Sequence, residues 1–182
     1  MSETPHFSVH RTTIAHAPML EQVAGWIQDN KDKMLPLSPL ELLGIAVQGL
    51  SVLTLDDTRG LVASHAAVTY QWAPDFWEVG AVIANPAPEI RRHGAATKAV
   101  DALVHFLNAE FPDVTLFALV NNLSKGLFVG KLGWEPIPHV LLPEQVWDGC
   151  AKCSHKPHLE PGCLCCDTPV VPPSAKRRFQ LT

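Results

Sequence analysis

The sequence predicts an α/β domain of the α+β kind, a mixed central sheet with elements in the order β-α-α-β-β-β-α-β-α-β, followed by a small cysteine-bearing tail. Three observations predict it. Two helical stretches precede Leu50, where the apolar period changes from helical to alternating. The run Val114–Val120 is nearly all apolar, as in a strand buried on both faces. Ala96, Val100, Leu103 and Leu107 recur at helical spacing, one face of an amphipathic helix that packs on a sheet.

Taken in order, Phe7 to Ile14 alternates loosely and predicts a first strand. Pro18 opens a helix in which Leu20, Val23, Trp26 and Ile27 share a face. Ser38, Pro39 and Glu41 form an N-cap, first-turn proline and third-position acid that head a second helix through Val47. Leu50 to Leu55 and Leu61 to Tyr70 read as strands about a turn at Asp56–Gly60. A turn at Trp72–Asp75 leads into a strand from Phe76 to Ala84. The amphipathic helix begins near Arg92 and ends at Phe111-Pro112-Asp113. After the apolar strand, Asn121-Asn122-Leu123-Ser124 starts a helix that stops at Gly133, with Gly126 and Gly130 placed for close packing against it. Trp134 to Leu142 reads as extended, and Pro143 begins the tail, with Pro169–Ser174 as a proline-rich linker. The expected division is therefore 1–142 and 143–182.

Composition narrows the function classes. The chain has 182 residues and is 47% hydrophobic, enough for a globular core. A net charge of −4 argues against coating nucleic acid by bulk electrostatics. No apolar run reaches membrane-spanning length, and Met1–His6 lacks the basic and apolar regions of a signal peptide. The expectation is a cytoplasmic protein without a membrane partner.

The stretch Arg91-Arg92-His93-Gly94-Ala95-Ala96 lies between a strand and a helix. Helix-start N–H groups lack intrahelical partners, and the helix dipole adds positive charge, so this arrangement suits a pyrophosphate. Gly94 allows close backbone approach, Ala96 removes bulk, and the arginines add charge-assisted donors. There is no Gly-x-Gly-x-x-Gly and no Gly-Lys-Ser/Thr.

The spacing Arg-x-x-Gly-x-Ala resembles the pyrophosphate-cradling signature of the GNAT superfamily of N-acetyltransferases. The element order is also that of the GNAT fold. A second segment, Asn122 followed by Gly133 and Trp134, resembles the GNAT motif whose Asn bonds the pantetheine arm. The resemblance spans about residues 7 to 142. It implies that Val82, Ile83, Ala84, Arg91, Arg92, His93, Gly94, Ala95, Ala96 and Asn122 bind acetyl-CoA, with a main-chain N–H near Val82 or Ile83 meeting the oxyanion. One departure stands out: Val129 occupies the place where many members have a tyrosine that protonates the departing thiolate. The chain's one tyrosine is Tyr70, on another predicted strand.

Acetyl transfer to an amine needs a neutral nitrogen, whereas a lysine-type amine is protonated at neutral pH. Glu78, among Phe76, Trp77 and Val79, is the candidate base, since desolvation there would raise its pKa. A glutamate similarly placed serves as base in some GNAT enzymes of the histone type. The competing reading puts Glu78 on a solvated sheet face or in an arginine pair. His65 is the other base candidate.

All five cysteines lie between Cys150 and Cys166. Cys150 and Cys153, then Cys163 and Cys166, form two Cys-x-x-Cys knuckles that can wrap one tetrahedral zinc, with Cys165, His155 and His158 as alternative ligands. The metal would supply stability to a tail with little apolar content.

The reading is thus an acyl-CoA-dependent N-acyltransferase with a zinc-stapled extension, using acetyl-CoA on a small-molecule or protein amine by direct transfer in a ternary complex. A homodimer is compatible with the resemblance. The alternatives are a non-catalytic CoA-binding or zinc-knuckle interaction module, and modification of a nucleic-acid amine aided by Lys176-Arg177-Arg178.

Overall fold

The computed structural model describes residues 5–150 and 168–175. Its elements are β1 (Phe7–Arg11), α1 (Ala17–Asp29), α2 (Pro39–Val47), β2 (Ser51–Asp56), β3 (Leu61–Ala73), β4 (Phe76–Ala84), α3 (Ala95–Glu110), β5 (Thr115–Val120), a π-helical turn (Gly126–Lys131), β6 (Glu135–Pro136), α4 (Glu144–Cys150) and β7 (Thr168–Val171). The strand order is β1-β2-β3-β4-β5-β7-β6. β4 and β5 are parallel while the pairs β1–β2, β2–β3, β5–β7 and β6–β7 are antiparallel, so the sheet is mixed. Two compact units divide the chain. One holds the chain through Thr69 with Ala81–Glu110; the other holds Tyr70–Gly80 and the chain from Phe111 onward.

In the first unit, α2 starts where the sequence places it. Ser38 Oγ accepts the Glu41 N–H at 3.3 Å, and Glu41 Oε2 accepts the Ser38 N–H at 2.7 Å, a reciprocal capping box. Leu20, Val23, Ala24 and Ile27 of α1 join Leu42 and Ala46 of α2 over Leu53, Val62, Ala67 and Ala81. Trp26, expected on that face, packs at its edge, and Ala24 takes the central place. Neighbouring strand residues point to opposite faces. Ala63, next to Val62, accordingly belongs to a different cluster with Phe7, Ile90 and Ala95. Arg11 ties β1 to α3: its guanidinium donates to both Glu110 carboxylate oxygens and to the Gly49 carbonyl, at 3.1 Å from Nε and 2.9 Å from Nη2.

In the second unit, Phe76–Glu78 pair with Thr115–Phe117, and from Ala118 onward β5 pairs with β7 instead. Phe117, Leu142, Val146, Val171 and Ala175 form its core, with Trp72, Phe76 and Trp147 packed around it.

Several expectations are corrected. The segment expected as a linker at Pro169–Ser174 contributes a strand, β7, inserted between β5 and β6. The sheet therefore does not end at residue 142. β3 runs on to Ala73, through the residues expected to begin a turn. The extended stretch after Trp134 shrinks to the two residues of β6, followed by a 3₁₀ turn at His139–Leu141. Among the described residues, a Cβ built at Gly126 or Gly130 meets nothing within 4 Å, so close packing by these residues does not explain either glycine. Gly133, with φ +66°, is in the expected left-handed stop conformation.

Candidate functional site

Two groups of the expected residues fall in different units, and each is described by itself. The first unit holds the end of β4 and the turn into α3. Asn85, buried, fixes the strand end: its N–H donates to the Ala63 carbonyl at 2.8 Å and its Nδ2 to the Val62 carbonyl at 2.7 Å. Its Oδ1 accepts the Ala87 N–H at 2.9 Å, starting the turn. The Ile90 and Arg91 N–H groups both donate to the Ala87 carbonyl, and the buried Ile90 side chain anchors the loop.

Beyond that anchor the backbone changes character. Arg92 has φ +71° and Gly94 φ +89°. A non-glycine residue in this region costs about 1–2 kcal/mol. Alternating backbone handedness is how short loops turn successive N–H groups into an anion-binding concavity. The Lys98 N–H returns to the Gly94 carbonyl at 3.0 Å. Between these points, the N–H groups from Arg92 to Ala96 form no backbone–backbone hydrogen bond among the described residues. α3 starts at Ala95, three residues later than the helix expected near Arg92. Arg91, Arg92 and His93 are exposed and Ala95 is buried, with Ala99 beside it; Ala96, expected on the core face, is only half-buried. The buried Ala95 packs α3 down and leaves its first turn at the surface. Among the described residues, no ion pair engages Arg91 or Arg92.

Val82, Ile83 and Ala84 are half-buried at the end of β4. Just before them Ala81 has φ +45°, a conformation that regular strand backbone does not adopt. His65, wholly buried on β3, accepts this irregularity: its Nδ1 lies 3.1 Å from the Ala81 carbonyl oxygen. A carbonyl only accepts, so Nδ1 carries a proton. Burial drives its pKa down to about 4, the bond to Ala81 opposing only in part. Of the two readings open for this strand histidine, base or structural, its burial in the core favours the structural one.

The second unit holds Glu78. Its Oε2 accepts the Trp72 indole N–H at 2.7 Å across the β3–β4 hairpin. Desolvation pushes its pKa up to about 7, against the opposing pull of the Trp72 bond. Trp72 in turn stacks at 4.8 Å on Tyr70, which is partly exposed. Asn122 is exposed at the turn before the π-helical segment. Its neighbour Asn121 shapes that turn, its Oδ1 accepting from the N–H groups of Leu123 and Ser124 at 2.9 and 3.0 Å. Val129 lies half-buried within the π-helical turn.

Sequence reasoning named Arg92 but missed its positive φ, and it missed Ala81 and Trp72. Nothing in an alanine or arginine codon position signals a positive φ. The Trp72–Glu78 pair was within reach, since a hairpin brings the two sides of its turn together.

The metal expectation falls elsewhere. Cys150 is the last residue of α4, and Cys153, His155, His158, Cys163, Cys165 and Cys166 lie outside the described residues. So do Lys176, Arg177 and Arg178. Among the described residues no group of three or more His, Cys, Asp or Glu side chains is placed to hold a metal, and no helix is long and apolar enough to cross a membrane.

Comparison with solved structures identifies the fold. The chain is similar to N-acetylglutamate synthase from Neisseria gonorrhoeae complexed with coenzyme A and N-acetyl-glutamate, at 15% identity and TM-score 0.63, over 82% of this chain and 33% of that one. It thus spans a third of that synthase's length. It is similar to a Mycobacterium tuberculosis protein in complex with CoA, at 19% identity and TM-score 0.60, over 81% of this chain and 82% of that chain. A third similarity is to a GNAT-family acetyltransferase from Staphylococcus aureus, at 10% identity and TM-score 0.60, over 91% and 97% of the two chains. The fold is that of the GNAT acetyltransferases. No family model matches the sequence, and no curated protein sequence matches it.

Proposed function

We propose that the protein is an acyl-CoA-dependent N-acyltransferase that moves an acetyl group from acetyl-CoA to an amine. One observation carries this reading: the uncommitted N–H groups from Arg92 to Ala96, in a loop with positive φ at Arg92 and Gly94, open a sixteen-residue helix. That is an anion cradle. The fold it shares with proteins solved in complex with coenzyme A supports a diphosphate carrier as the anion. Arg91 and Arg92 add charge at its rim, and Val82, Ile83, Ala84 and Asn122 are assigned to the thioester and the pantetheine arm.

The chemistry follows from the acceptor. Glu78 takes the proton from an ammonium, which frees the nitrogen lone pair. The nitrogen attacks the thioester carbonyl, and a β4 main-chain N–H stabilises the oxyanion. The C–S bond then breaks, the coenzyme leaves as a thiolate, and the second proton on the nitrogen passes through water to that thiolate, leaving the neutral amide and the thiol. A thiol pKa of about 8.5 makes it an adequate leaving group near neutral pH, so Val129 in place of a tyrosine does not block the reaction.

The acceptor is taken to be a small-molecule or protein amine. N-acetyl-glutamate occupies the Neisseria synthase alongside coenzyme A, which supports the small-molecule class. Zinc at Cys150, Cys153, Cys163 and Cys166 remains part of the proposal on the spacing of the thiolates. It would staple the chain between α4 and β7.

Thiol release from acetyl-CoA across a panel of amines tests the reading. Amine-dependent release supports it. Tight coenzyme A binding without release under any amine would favour a non-catalytic module instead.

A further inference from the structure

The strongest unexplained feature of the first unit is a histidine set among apolar side chains. His65 pairs in register with Leu53, and directly opposed residues share a face. Leu53, Ala67 and Ala81 belong to the cluster that α1 and α2 cover. The imidazole is thus held in the apolar layer beneath two helices. Its Nε2 has no hydrogen-bond partner among the described residues. An apolar residue would fill this place without burying an unpaired acceptor. What the histidine supplies is one donor, Nδ1–H, aimed at the Ala81 carbonyl.

Ala81 is where β4 departs from strand geometry, with φ +45°. A carbonyl at such a residue is rotated away from the direction an extended strand would give it. Its observed partner is a side chain, the His65 ring. The peptide that carries this carbonyl also carries the Val82 N–H on its far side, because the peptide unit is planar and trans. Fixing the Ala81 oxygen therefore fixes the direction of the Val82 N–H.

We infer that His65 is a positioning residue that holds the Ala81–Val82 peptide by its Nδ1–H, and so aims the Val82 N–H at the thioester oxygen. This rests on the acyltransfer reading above. His65 touches no substrate; it acts through the strand.

The test uses the full chain and three substitutions. In His65→Asn the amide Nδ2 hangs from Cγ as the imidazole Nδ1 does, so the donor is kept. In His65→Gln the amide sits one bond further out, and in His65→Leu it is gone. Expected are a ring ¹⁵N pattern with the proton on Nδ1, and displaced Val82 and Ile83 amide resonances in His65→Leu and His65→Gln. Turnover of acetyl-CoA in those two falls about tenfold, short of the ~100-fold or more that outright loss of an oxyanion donor costs. Coenzyme A affinity is unchanged, because the cradle is untouched. His65→Asn recovers the rate and the resonances. Should His65→Leu fail to fold, the contrast between His65→Asn and His65→Gln decides alone.

Wild-type turnover in His65→Gln, an unmoved Val82 resonance, or a proton on Nε2 would overturn the inference while leaving the acyltransfer reading standing. Absence of coenzyme A binding by the unmodified protein would instead remove that reading, and the positioning role of His65 with it.

Discussion

The indole N–H of Trp72 donates to Glu78 Oε2 at 2.7 Å, across a hairpin whose two strands belong to β3 and β4. Burial raises the carboxyl to about 7 and this bond holds it from rising further. As the proposed base, Glu78 must be deprotonated to work, so the rate with an amine acceptor should climb through a limb near pH 7. Glu78→Gln should remove the limb and most of the activity. Trp72→Phe should shift it to higher pH. Linkage gives a second readout. Between the unfolded carboxyl value of about 4.3 and the folded value the native state holds the extra proton, so stability should fall as pH rises through that window. Glu78→Gln should flatten the fall in a pH series of denaturant titrations.

His65 has the opposite sign. Its folded pKa, about 4, lies below the unfolded value of about 6.5, so the unfolded state binds the extra proton between them. Stability should be lost as pH drops from 6.5 towards 4. His65→Asn removes the titration and should lessen that acid loss, measured as Tm against pH. An unchanged acid slope would show that His65 is not the group responsible.

Arg11 makes its strongest prediction together with Gly49. A Cβ at Gly49 would stand 2.8 Å from Arg11 Nη2, and Gly49 has φ +71°. Gly49→Ala should cost about 1–2 kcal/mol from backbone strain. It should also displace the guanidinium. Arg11→Ala alone should cost little, because the Glu110 pair is partly solvent-exposed. The two should be less than additive in urea titrations, since each breaks the same contact.

How much of this was legible follows from what each residue signals. The capping box at Ser38–Glu41 was read correctly, because its chemistry lies within four residues of chain. The core faces of α1 and α3 were read to within one residue, for the same reason. β7 was not, because Pro169, Pro172 and Pro173 gave its segment the composition of a linker. Proline removes a ladder donor but leaves its carbonyl, and the Pro169 carbonyl accepts from Ile137 at 3.0 Å. That partner is remote in sequence, so local pattern could not reveal it. The raised carboxyl of Glu78 was expected from its apolar neighbours. The positive φ at Ala81 was not, because the side chain that meets its carbonyl, His65, comes from another strand.

The thiolate spacing yields a compositional prediction. One zinc per chain should accompany the purified protein, and Cys150→Ser with Cys163→Ser should abolish it. A strong chelator should lower Tm in the native protein and leave the double variant unmoved. Protein free of metal at full stability would end the zinc proposal without touching the acyltransfer reading.

Calorimetric titration of coenzyme A into the purified chain, beside Gly94→Glu, tests the account at its root. A glutamate at φ +89° would strain the loop and set a carboxylate against the diphosphate. The account predicts saturable binding by the native chain that weakens sharply with added salt and is lost in the variant. Absence of heat for the native chain, or equal affinity in the two proteins, would contradict it.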